Sequence, residues 1–490
     1  MLIENPENNR TPEKVEHIHL MGICGTGMGS LAGLLKGQGF RLSGSDQAVY
    51  PHMSTFLSAL GIPVMEGYDS AHLTPLPDLV IVGNVITRSN PEAQELIRLG
   101  LPYLSLPQAL AHFFLKDQCS LVVAGTHGKT TTSALLASIM DRSGLSPGFM
   151  IGGILKGYER NYQVGGGKYF VIEGDEYDTA FFDKGPKLLH YRPFYAVLTS
   201  LEFDHADIYP DIKTIQDAFA RFLALIPKEG LLVAYGPEPG ITEILSKTSC
   251  PVESYGPEEG WDWCLRDLKT DPTGSTFSVF HRGVFFHSFR SPLAGRHNAL
   301  NGLSLMPILN RLGLSPEQMA RGLAAFQGVH RRQEVRGIQA GVTIVDDFAH
   351  HPTAVRETIQ AIRSQYQSPR LVAVFEPRTN TSRRRVFQND YARSFEGADL
   401  IIVREPPDLL KIPEKERFSS LQLVENLKDQ GLKAFYFSDT EAILDFLWGE
   451  LRSGDVVLIM SNGGFDHIHE RLLRGLETQS EKAHSSKLIA

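Results

Sequence analysis

The chain of 490 residues is too long for a single hydrophobic core, which stops growing near about 250–300 residues, so we expect several domains. With 42% hydrophobic and 21% charged residues it has the composition of a folded globular protein, and no segment approaches the roughly 20 apolar residues of a membrane span. A formal net charge of −8 argues against a protein that binds the phosphate backbone of nucleic acids.

The polar N-terminus lacks the basic and apolar segments of a secretion signal, which favours a cytoplasmic protein. The four cysteines are scattered and form no C-x-x-C pair, so neither a zinc knuckle nor a disulfide framework is predicted. Both observations agree with a reducing compartment.

The first segment, residues 1–116, alternates short apolar runs with helical patterns. We predict strands at 17–23, 41–46 and 77–84 and a helix at 28–39. This alternation predicts a parallel sheet covered by helices.

A glycine-rich run, GICGTGM, follows the first strand and opens the first helix. Backbone N–H groups and the helix dipole bind diphosphates at such a position, but the fingerprint is imperfect, and a structural turn is about equally favoured. Asp46, at the end of the next strand, is placed to reach a ribose or base and favours a nucleotide site. The candidate residues are Gly22, Cys24, Gly25, Thr26, Gly27, Met28 and Asp46.

The second segment, residues 117–328, repeats the alternation of strands and helices. Strands are predicted at 121–125 and 231–236, units of a strand followed by an acidic loop at 168–176 and 194–205, a hairpin at 276–289, and helices at 130–143, 214–226 and 294–313. The loop between the first strand and helix reads GTHGKTT, which resembles a phosphate-binding loop that has Val123 where the usual first glycine stands. Its candidate ATP-binding residues are Gly125, Thr126, His127, Gly128, Lys129, Thr130 and Thr131.

Two acidic clusters, VIEGDEYD and LEFDHAD, end further strands of this segment. Such clusters are solvated faces about as often as sites, yet ligands of parallel sheets bind at the carboxyl ends of strands. Thr130 and Glu173 offer the oxygen ligands that Mg²⁺ prefers. His205 is either a nitrogen ligand, a group that positions water, or a structural histidine.

The third segment, residues 329–490, contains a further series of strands and helices and ends in a polar tail that we predict to be disordered. Its strands are predicted within 342–352, 370–378, 399–405, 433–439 and 455–464. Together the three segments predict an α/β protein of three domains.

Taken in order, six motifs resemble those of the Mur ligases, the ATP-dependent amide-forming enzymes of peptidoglycan synthesis: GTHGKTT, IEGDEYD, LEFDHAD, GRHNALN, VHRRQE and VDDFAHHP. The resemblance covers residues 17 to about 475. It implies a Rossmann-like UDP-sugar-binding domain (1–116), a central P-loop ATP-binding domain (117–328) and a Rossmann-like C-terminal domain for the amine substrate (329–490).

The motifs GICGTGM, GSD and SNPE resemble the branch of the family that uses UDP-N-acetylmuramate. The motifs IEGDEYDTAFFDKGPKLLHYRP, FEPRTNTSRRR and MSNGGFDHIH resemble those of members that join it to the peptide L-alanyl-γ-D-glutamyl-meso-diaminopimelate during cell-wall recycling. The sequence departs from the motifs of these members at Asp466-His467 and in the basic run 382–385. Both segments lie where the amine substrate would be recognised, so L-alanine remains the alternative amine. A nicotinamide-dependent dehydrogenase is the other alternative, because of the first glycine-rich run.

The resemblance also implies roles for individual residues. Lys129 would bind the β- and γ-phosphates, Thr130 and Glu173 a Mg²⁺, and His205 a second Mg²⁺ or its water. Asn298 and Asn301 would face the nucleotide, either Arg331 or Arg332 the transferred phosphate, and Asp347 the ribose. Arg378, Asn380 and Arg383 are candidates for the peptide carboxylates, since arginine binds carboxylates in a fork.

Three further expectations follow from the motifs. His350 would orient neighbouring groups, and His351 would have a core or a capping role. Lys213 lies too early for the carbamylated lysine of other Mur ligases, so no modified lysine is expected. We expect small-molecule substrates, no nucleic acid, and a monomer or weak homodimer.

Overall fold

The computed structural model describes residues 6–49, 53–367 and 370–489. Three separate helix-covered sheets follow one another along the chain, which confirms the predicted three-domain α/β fold. No helix within these residues has the length and apolar character needed to cross a membrane.

The N-terminal sheet is parallel throughout and has the strand order β3-β2-β1-β4-β5. Its strands are β1 (His17–Met21), β2 (Arg41–Asp46), β3 (Val64–Glu66), β4 (Leu79–Val82) and β5 (Tyr103–Ser105). Its helices are α1 (Thr26–Gly37), α2 (Met53–Ala59), α3 (Pro91–Leu99) and α4 (Leu106–Leu110).

The central sheet has ten strands in the order β17-β16-β15-β14-β13-β12-β6-β9-β7-β8, with β10 and β11 forming a separate hairpin. The strands are β6 (Cys119–Ala124), β7 (Gly148–Leu155), β8 (Arg160–Gln163), β9 (Tyr169–Gly174), β10 (Asp178–Ala180), β11 (Asp183–Pro186), β12 (Tyr195–Leu198), β13 (Leu231–Tyr235), β14 (Val252–Gly256), β15 (Trp263–Asp271), β16 (Gly274–His281) and β17 (Val284–Ser291). The helices are α5 (Lys129–Arg142), α6 (Ile212–Leu223), α7 (Pro239–Ile244), α8 (Arg296–Leu303), α9 (Met306–Arg311) and α10 (Pro316–Ala324).

The C-terminal sheet has six strands in the order β18-β19-β23-β20-β21-β22, of which only the edge strand β18 is antiparallel to its neighbour. The strands are β18 (Glu334–Gln339), β19 (Val342–Asp347), β20 (Leu371–Phe375), β21 (Leu400–Arg404), β22 (Ala434–Phe437) and β23 (Val456–Met460). The helices are α11 (Pro352–Tyr366), α12 (Gln388–Tyr391), α13 (Ser420–Asp429), α14 (Thr440–Glu450) and α15 (Ile468–Ile489).

Strand β6 is an interior strand of the central sheet and is buried on both faces. Val122 and Ala124 pack into a core that continues into the N-terminal domain, whereas Leu121 and Val123 pack into the core on the other face. Continuous apolar strands of this kind are typical of parallel sheets covered on both sides. Strand β6 lies between β9 and β12. The phosphate-binding loop and the two acidic clusters follow these three parallel strands, so they lie side by side at the carboxyl ends of the strands, as predicted.

Two predicted elements were wrong in extent. The helix predicted at 294–313 is two helices, α8 and α9, because Pro307 at the start of α9 lacks the N–H that would continue the hydrogen-bond pattern. The predicted disordered tail instead continues helix α15 to Ile489. Ile468 and Leu472 are fully buried in the C-terminal core and anchor the start of that helix.

Candidate active site

The loop between β6 and α5 requires glycine at two positions. Gly125 has φ 130°, and a Cβ atom there would lie 2.8 Å from the backbone nitrogen of Ser200. Gly128 has φ 78° at the N-cap of α5, and its Cβ would lie 2.7 Å from Asn301 Oδ1. Side chains are therefore excluded where a phosphate would approach the helix N-terminus.

Lys129 is held inside the loop by a buried carboxylate. Its ammonium donates to Glu176 Oε2 at 2.8 Å and to the carbonyl of Gly125 at 2.6 Å. Burial disfavours the charged ammonium, but the carboxylates of Glu176 and Asp175 outweigh burial and raise the Lys129 pKa. The lysine is therefore a fixed positive charge at the mouth of the loop.

Glu176 also binds His205. The distance from His205 Nε2 to Glu176 Oε1 is 3.0 Å, and the His205 ring contacts the Tyr177 ring in a tilted arrangement with the ring centres 4.1 Å apart. Burial lowers the His205 pKa, but the hydrogen bond to Glu176 and the charge of Asp204 outweigh burial and raise it. The sequence motif contains Glu176, yet nothing in the motif indicates that it joins the lysine to the histidine.

Thr130 and Glu173 form the predicted oxygen pair. Thr130 Oγ1 donates to Glu173 Oε2 at 3.2 Å, and the backbone N–H of Gly152 donates to Oε1 at 2.6 Å. Burial raises the Glu173 pKa and outweighs these hydrogen bonds and the charge of Lys129. A carboxylate whose charge is costly in this environment gains most from a neighbouring cation.

The two adjacent arginines reach different partners. Arg332 extends to the central domain, where its Nη2 donates to Thr130 Oγ1 at 3.4 Å, and its guanidinium lies 4.4 Å from the ring centre of Phe348. Arg331 turns back into the C-terminal domain and donates to the carbonyls of Ser461 and Gly463, both at 2.6 Å.

The predicted nucleotide contacts lie on helix α8 and at the end of strand β19. Asn301 donates to Asn298 Oδ1 at 3.3 Å, so both amides lie on one face of α8, as predicted. Asp347 accepts from the backbone N–H groups of Gln333 and Ala349, both at 2.8 Å, and burial raises its pKa. His351 caps α11 by accepting from the N–H of Thr353 at 3.3 Å, which confirms its predicted capping role.

The glycine-rich run in the N-terminal domain is tied to strand β2. The N–H groups of Gly22 and Ile23 donate to the Ser45 carbonyl, and the N–H of Cys24 donates to Asp46 Oδ2 at 2.8 Å. Asp46, predicted to reach a ribose, therefore orders the loop itself in this structure.

The predicted peptide residues lie on a loop of the C-terminal domain that touches the second acidic cluster. Asn380 Nδ2 donates to Asp207 Oδ2 at 2.8 Å, and Arg383 donates to Asn380 Oδ1 at 2.8 Å. Arg378 instead pairs with the buried Glu376 at 3.2 Å. Lys213 is exposed and lies 3.7 Å from Asp217.

A cavity of about 850 Å³ opens between all three domains. Of the predicted residues it is lined by Thr26, Gly27, Thr126, His127, Gly128, Lys129, Thr130, Thr131, Glu173, His205, Asn298, Asn301, Arg332, Asp347, His350 and His351. The other predicted residues lie outside its lining: Gly22, Cys24, Gly25, Met28, Asp46, Gly125, Arg331, Arg378, Asn380 and Arg383.

Three family models match the chain in succession. They describe the Mur ligase family catalytic domain at residues 17–117, the Mur ligase middle domain at 123–306 and the Mur ligase glutamate ligase domain at 331–463. The chain belongs to the Mur ligase family. It is therefore a ligase, and the dehydrogenase alternative has no support.

Among curated Mur ligases, an Escherichia coli protein named UDP-N-acetylmuramate–L-alanyl-γ-D-glutamyl-meso-2,6-diaminoheptandioate ligase is 39% identical over 95% of this chain and 99% of its own. A UDP-N-acetylmuramate–L-alanine ligase of Caldanaerobacter subterraneus is 32% identical over 94% of this chain and 98% of its own. A crystal structure of a murein peptide ligase from Psychrobacter arcticus superposes with a TM-score of 0.70 at 34% identity, covering 94% of this chain and 99% of that one.

Two side chains of this Mur ligase site were not predicted from the sequence. Glu202 lies in the second acidic motif, and its carboxylate accepts from Thr353 Oγ1 of the C-terminal domain at 2.7 Å. His297, beside Asn298, lines the cavity, and burial lowers its pKa to about 4. Glu202 lies within the motif LEFDHAD and His297 within GRHNALN, so their positions in these motifs could have indicated that they belong to the site.

Proposed function

We propose that the protein is an ATP-dependent ligase that joins the carboxylate of UDP-N-acetylmuramate to the amine of L-alanyl-γ-D-glutamyl-meso-diaminopimelate in cytoplasmic cell-wall recycling. The observation that carries this proposal is the cavity in which Lys129, Thr130, Glu173 and Arg332 meet at one phosphate-binding loop. The similarity to the Escherichia coli ligase supports the choice of substrates. We assign the three domains to residues 1–116, 117–328 and 329–490, and expect a monomer or weak homodimer.

The reaction must activate a carboxylate, whose oxygen is a poor leaving group. In the proposed sequence a carboxylate oxygen attacks the γ-phosphorus of ATP, ADP leaves, and an acyl phosphate forms. The peptide amine then attacks the acyl carbon, phosphate leaves with the former carboxylate oxygen, and the nitrogen loses a proton. The protein contributes positioning and charge stabilisation rather than covalent chemistry.

Two cations of the chain surround the transferred phosphate in this proposal. Lys129 binds the β- and γ-phosphates, for which its ammonium must exchange Glu176 for phosphate oxygens. Arg332 reaches the same loop from the C-terminal domain, so we assign it, rather than Arg331, to the transferred phosphate. Arginine suits this task because its charge is permanent and its donors form a fork.

Mg²⁺ fits the oxygen pair of Thr130 and Glu173, because these ligands are adjacent and of the type the ion prefers. When bound, the ion neutralises phosphate charge. His205 remains the candidate for a second ion or its water, although ligation through Nε2 requires its contact with Glu176 to break. Asn298, Asn301 and Asp347 are proposed to position the nucleotide.

The second candidate activity is addition of L-alanine to the same nucleotide, which the similarity to the Caldanaerobacter enzyme supports. To decide between the two activities, the protein is supplied with ATP, Mg²⁺, UDP-N-acetylmuramate and either the tripeptide or L-alanine. Phosphate release from ATP is measured, and the amide product is identified by mass spectrometry. We expect turnover with the tripeptide, and loss of turnover in Lys129→Ala. Robust turnover with L-alanine alone would overturn the proposed amine, and no product from either amine would overturn the ligase reaction.

A further inference from the structure

Beyond the oxygen pair at Glu173, a second group of potential metal ligands lies at the same cavity: His127, Glu202 and His351, called the His-Glu-His cluster below. His127 belongs to the loop between β6 and α5, Glu202 follows strand β12, and His351 begins helix α11 of the C-terminal domain. The cluster therefore joins the central domain to the C-terminal domain.

The ligand atoms are spaced for one ion. His127 Nε2 lies 3.4 Å and His351 Nδ1 lies 3.7 Å from Glu202 Oε2, and all three ligand atoms lie within 4.8 Å of one another. A tetrahedral Zn²⁺ with bonds of about 2.0–2.1 Å needs its ligand atoms about 3.3 Å apart. Small side-chain movements therefore complete the coordination distances.

The second ring nitrogen of His351 has the partner that metal-bound histidines usually have. His351 Nε2 lies 3.2 Å from the carbonyl of Phe203, to which it donates its proton. This bond fixes the tautomer and leaves the lone pair on Nδ1, on the side of Glu202. The N–H of Thr353 contacts that lone pair at 3.3 Å, a long hydrogen bond that an ion would replace.

The carboxylate is oriented in the same way. Thr353 Oγ1 donates to Glu202 Oε2 at 2.7 Å, and the Glu202 backbone N–H donates to Thr126 Oγ1 at 2.8 Å. These contacts hold the carboxylate beside the two imidazole rings.

We propose that the His-Glu-His cluster binds a divalent transition metal of the Zn²⁺ class, separate from the Mg²⁺ at Thr130 and Glu173, and thereby links the phosphate-binding loop to the C-terminal domain. Imidazole nitrogens select such ions, whereas an all-oxygen pair selects Mg²⁺. Two histidines and one carboxylate fill three positions of a tetrahedral site and leave the fourth facing the cavity.

To test the proposal, the full-length protein is first freed of metal, and excess Mg²⁺ is then added to fill the oxygen pair. Zn²⁺ is titrated into this protein, and its binding is measured by calorimetry and by metal analysis after gel filtration. We expect one equivalent of Zn²⁺ to remain bound. His351→Ala should weaken Zn²⁺ binding about tenfold or more. Glu173→Gln and the matched control His287→Ala, on the distant strand β17, should leave it unchanged.

Absence of a tightly bound equivalent in the wild-type protein would overturn the proposal, as would Zn²⁺ loss that follows Glu173→Gln rather than His351→Ala. Because His351→Ala also removes a helix cap, the wild-type protein is measured independently by X-ray absorption of the zinc complex. Two imidazoles in the coordination shell support the cluster, and an oxygen-only shell contradicts it.

Discussion

Arg331 and Arg332 are neighbours in the chain but serve different domains because the backbone turns between them. Arg331 has φ 61°, a left-handed conformation that is uncommon for a residue with a side chain. Its guanidinium is satisfied by the carbonyls of Ser461 and Gly463, whereas Arg332 reaches Thr130 beside the phosphate-binding loop. The geometry thus gives the two arginines separable roles.

Replacing each arginine by alanine should separate catalysis from stability. We expect Arg332→Ala to lower kcat by about 100-fold or more, because a charge aimed at the transferred phosphate is lost. Arg331→Ala should instead lower the free energy of unfolding by about 1–3 kcal/mol, because two carbonyls lose their donor. Phosphate release and thermal unfolding of both variants measure this, and equal losses of kcat would contradict the assignment.

His297 should make the stability of the protein depend on pH. Its pKa is lowered to about 4 by burial, and its Nε2 accepts a hydrogen bond from the amide of Gln333 at 3.3 Å. Because the unfolded histidine has its ordinary pKa near about 6.5, the unfolded chain binds more protons between these values. The contribution to stability is therefore complete above about pH 6.5 and is lost as the pH falls towards 4.

Replacing His297 by glutamine should remove this pH dependence. When the pH falls from about 7.5 to about 5, the free energy of unfolding of the wild-type protein should decrease by about 1–3 kcal/mol more than that of His297→Gln. Melting temperatures at both pH values measure the difference, with His287→Gln as the control on strand β17. An unchanged pH dependence in His297→Gln would show that the imidazole is not responsible.

At the scale of elements, helix α1 of the N-terminal domain packs on the hairpin of β7 and β8. Ser30 Oγ donates to Asn161 Oδ1 at 2.9 Å, and Gly33 faces the ring of Tyr162 so closely that any Cβ would overlap it. The glycine is therefore a requirement of this interface and not only of the helix. One hydrophobic core also continues from this domain into the central sheet.

Gly33→Ala should lower the free energy of unfolding by about 1–3 kcal/mol, because the added methyl overpacks the interface. Tyr162→Ala in the same chain should relieve most of that penalty, which a double-mutant cycle measures. Gly449→Ala in α14 is the matched control, since its Cβ meets no atom within 4 Å and alanine favours the helix. Equal effects of the two glycine substitutions would contradict the close packing.

The sequence predicted most strands because their apolar runs are continuous and lie between turn residues, as in β6 and β12. It also predicted that Thr130 and Glu173 meet, because parallel strands place their ends together. It could not predict that Glu176 binds Lys129, since that pairing depends on the course of a loop. Nor could it separate Arg331 from Arg332, because a left-handed residue leaves no periodic signal.

At the scale of the whole molecule, the site belongs to no single domain. Thr26 and Gly27 reach the cavity from the first domain, Lys129 from the second, and Asp347 from the third. The third domain contacts the central one through Thr381, whose hydroxyl accepts from the N–H of Ala206 at 3.2 Å, and through Asn380. A ligand that contacts the walls from more than one domain must therefore change the stability of the contacts between the domains.

Ligands of the shared cavity should stabilise the protein cooperatively. A non-hydrolysable ATP analogue with Mg²⁺ at about 100 times its Kd should add about 2.7 kcal/mol, and UDP-N-acetylmuramate a similar amount. Because both ligands would bind in the cavity that the same three domains line, their joint effect on the melting temperature should exceed the sum of the separate shifts. Lys129→Ala should abolish the shift caused by the analogue and keep the shift caused by UDP-N-acetylmuramate, since the ammonium of Lys129 donates to the phosphate-binding loop and to Glu176. Strictly additive shifts in the wild-type protein would mean that the two ligands bind independently, and that the cavity between the domains is not their common site.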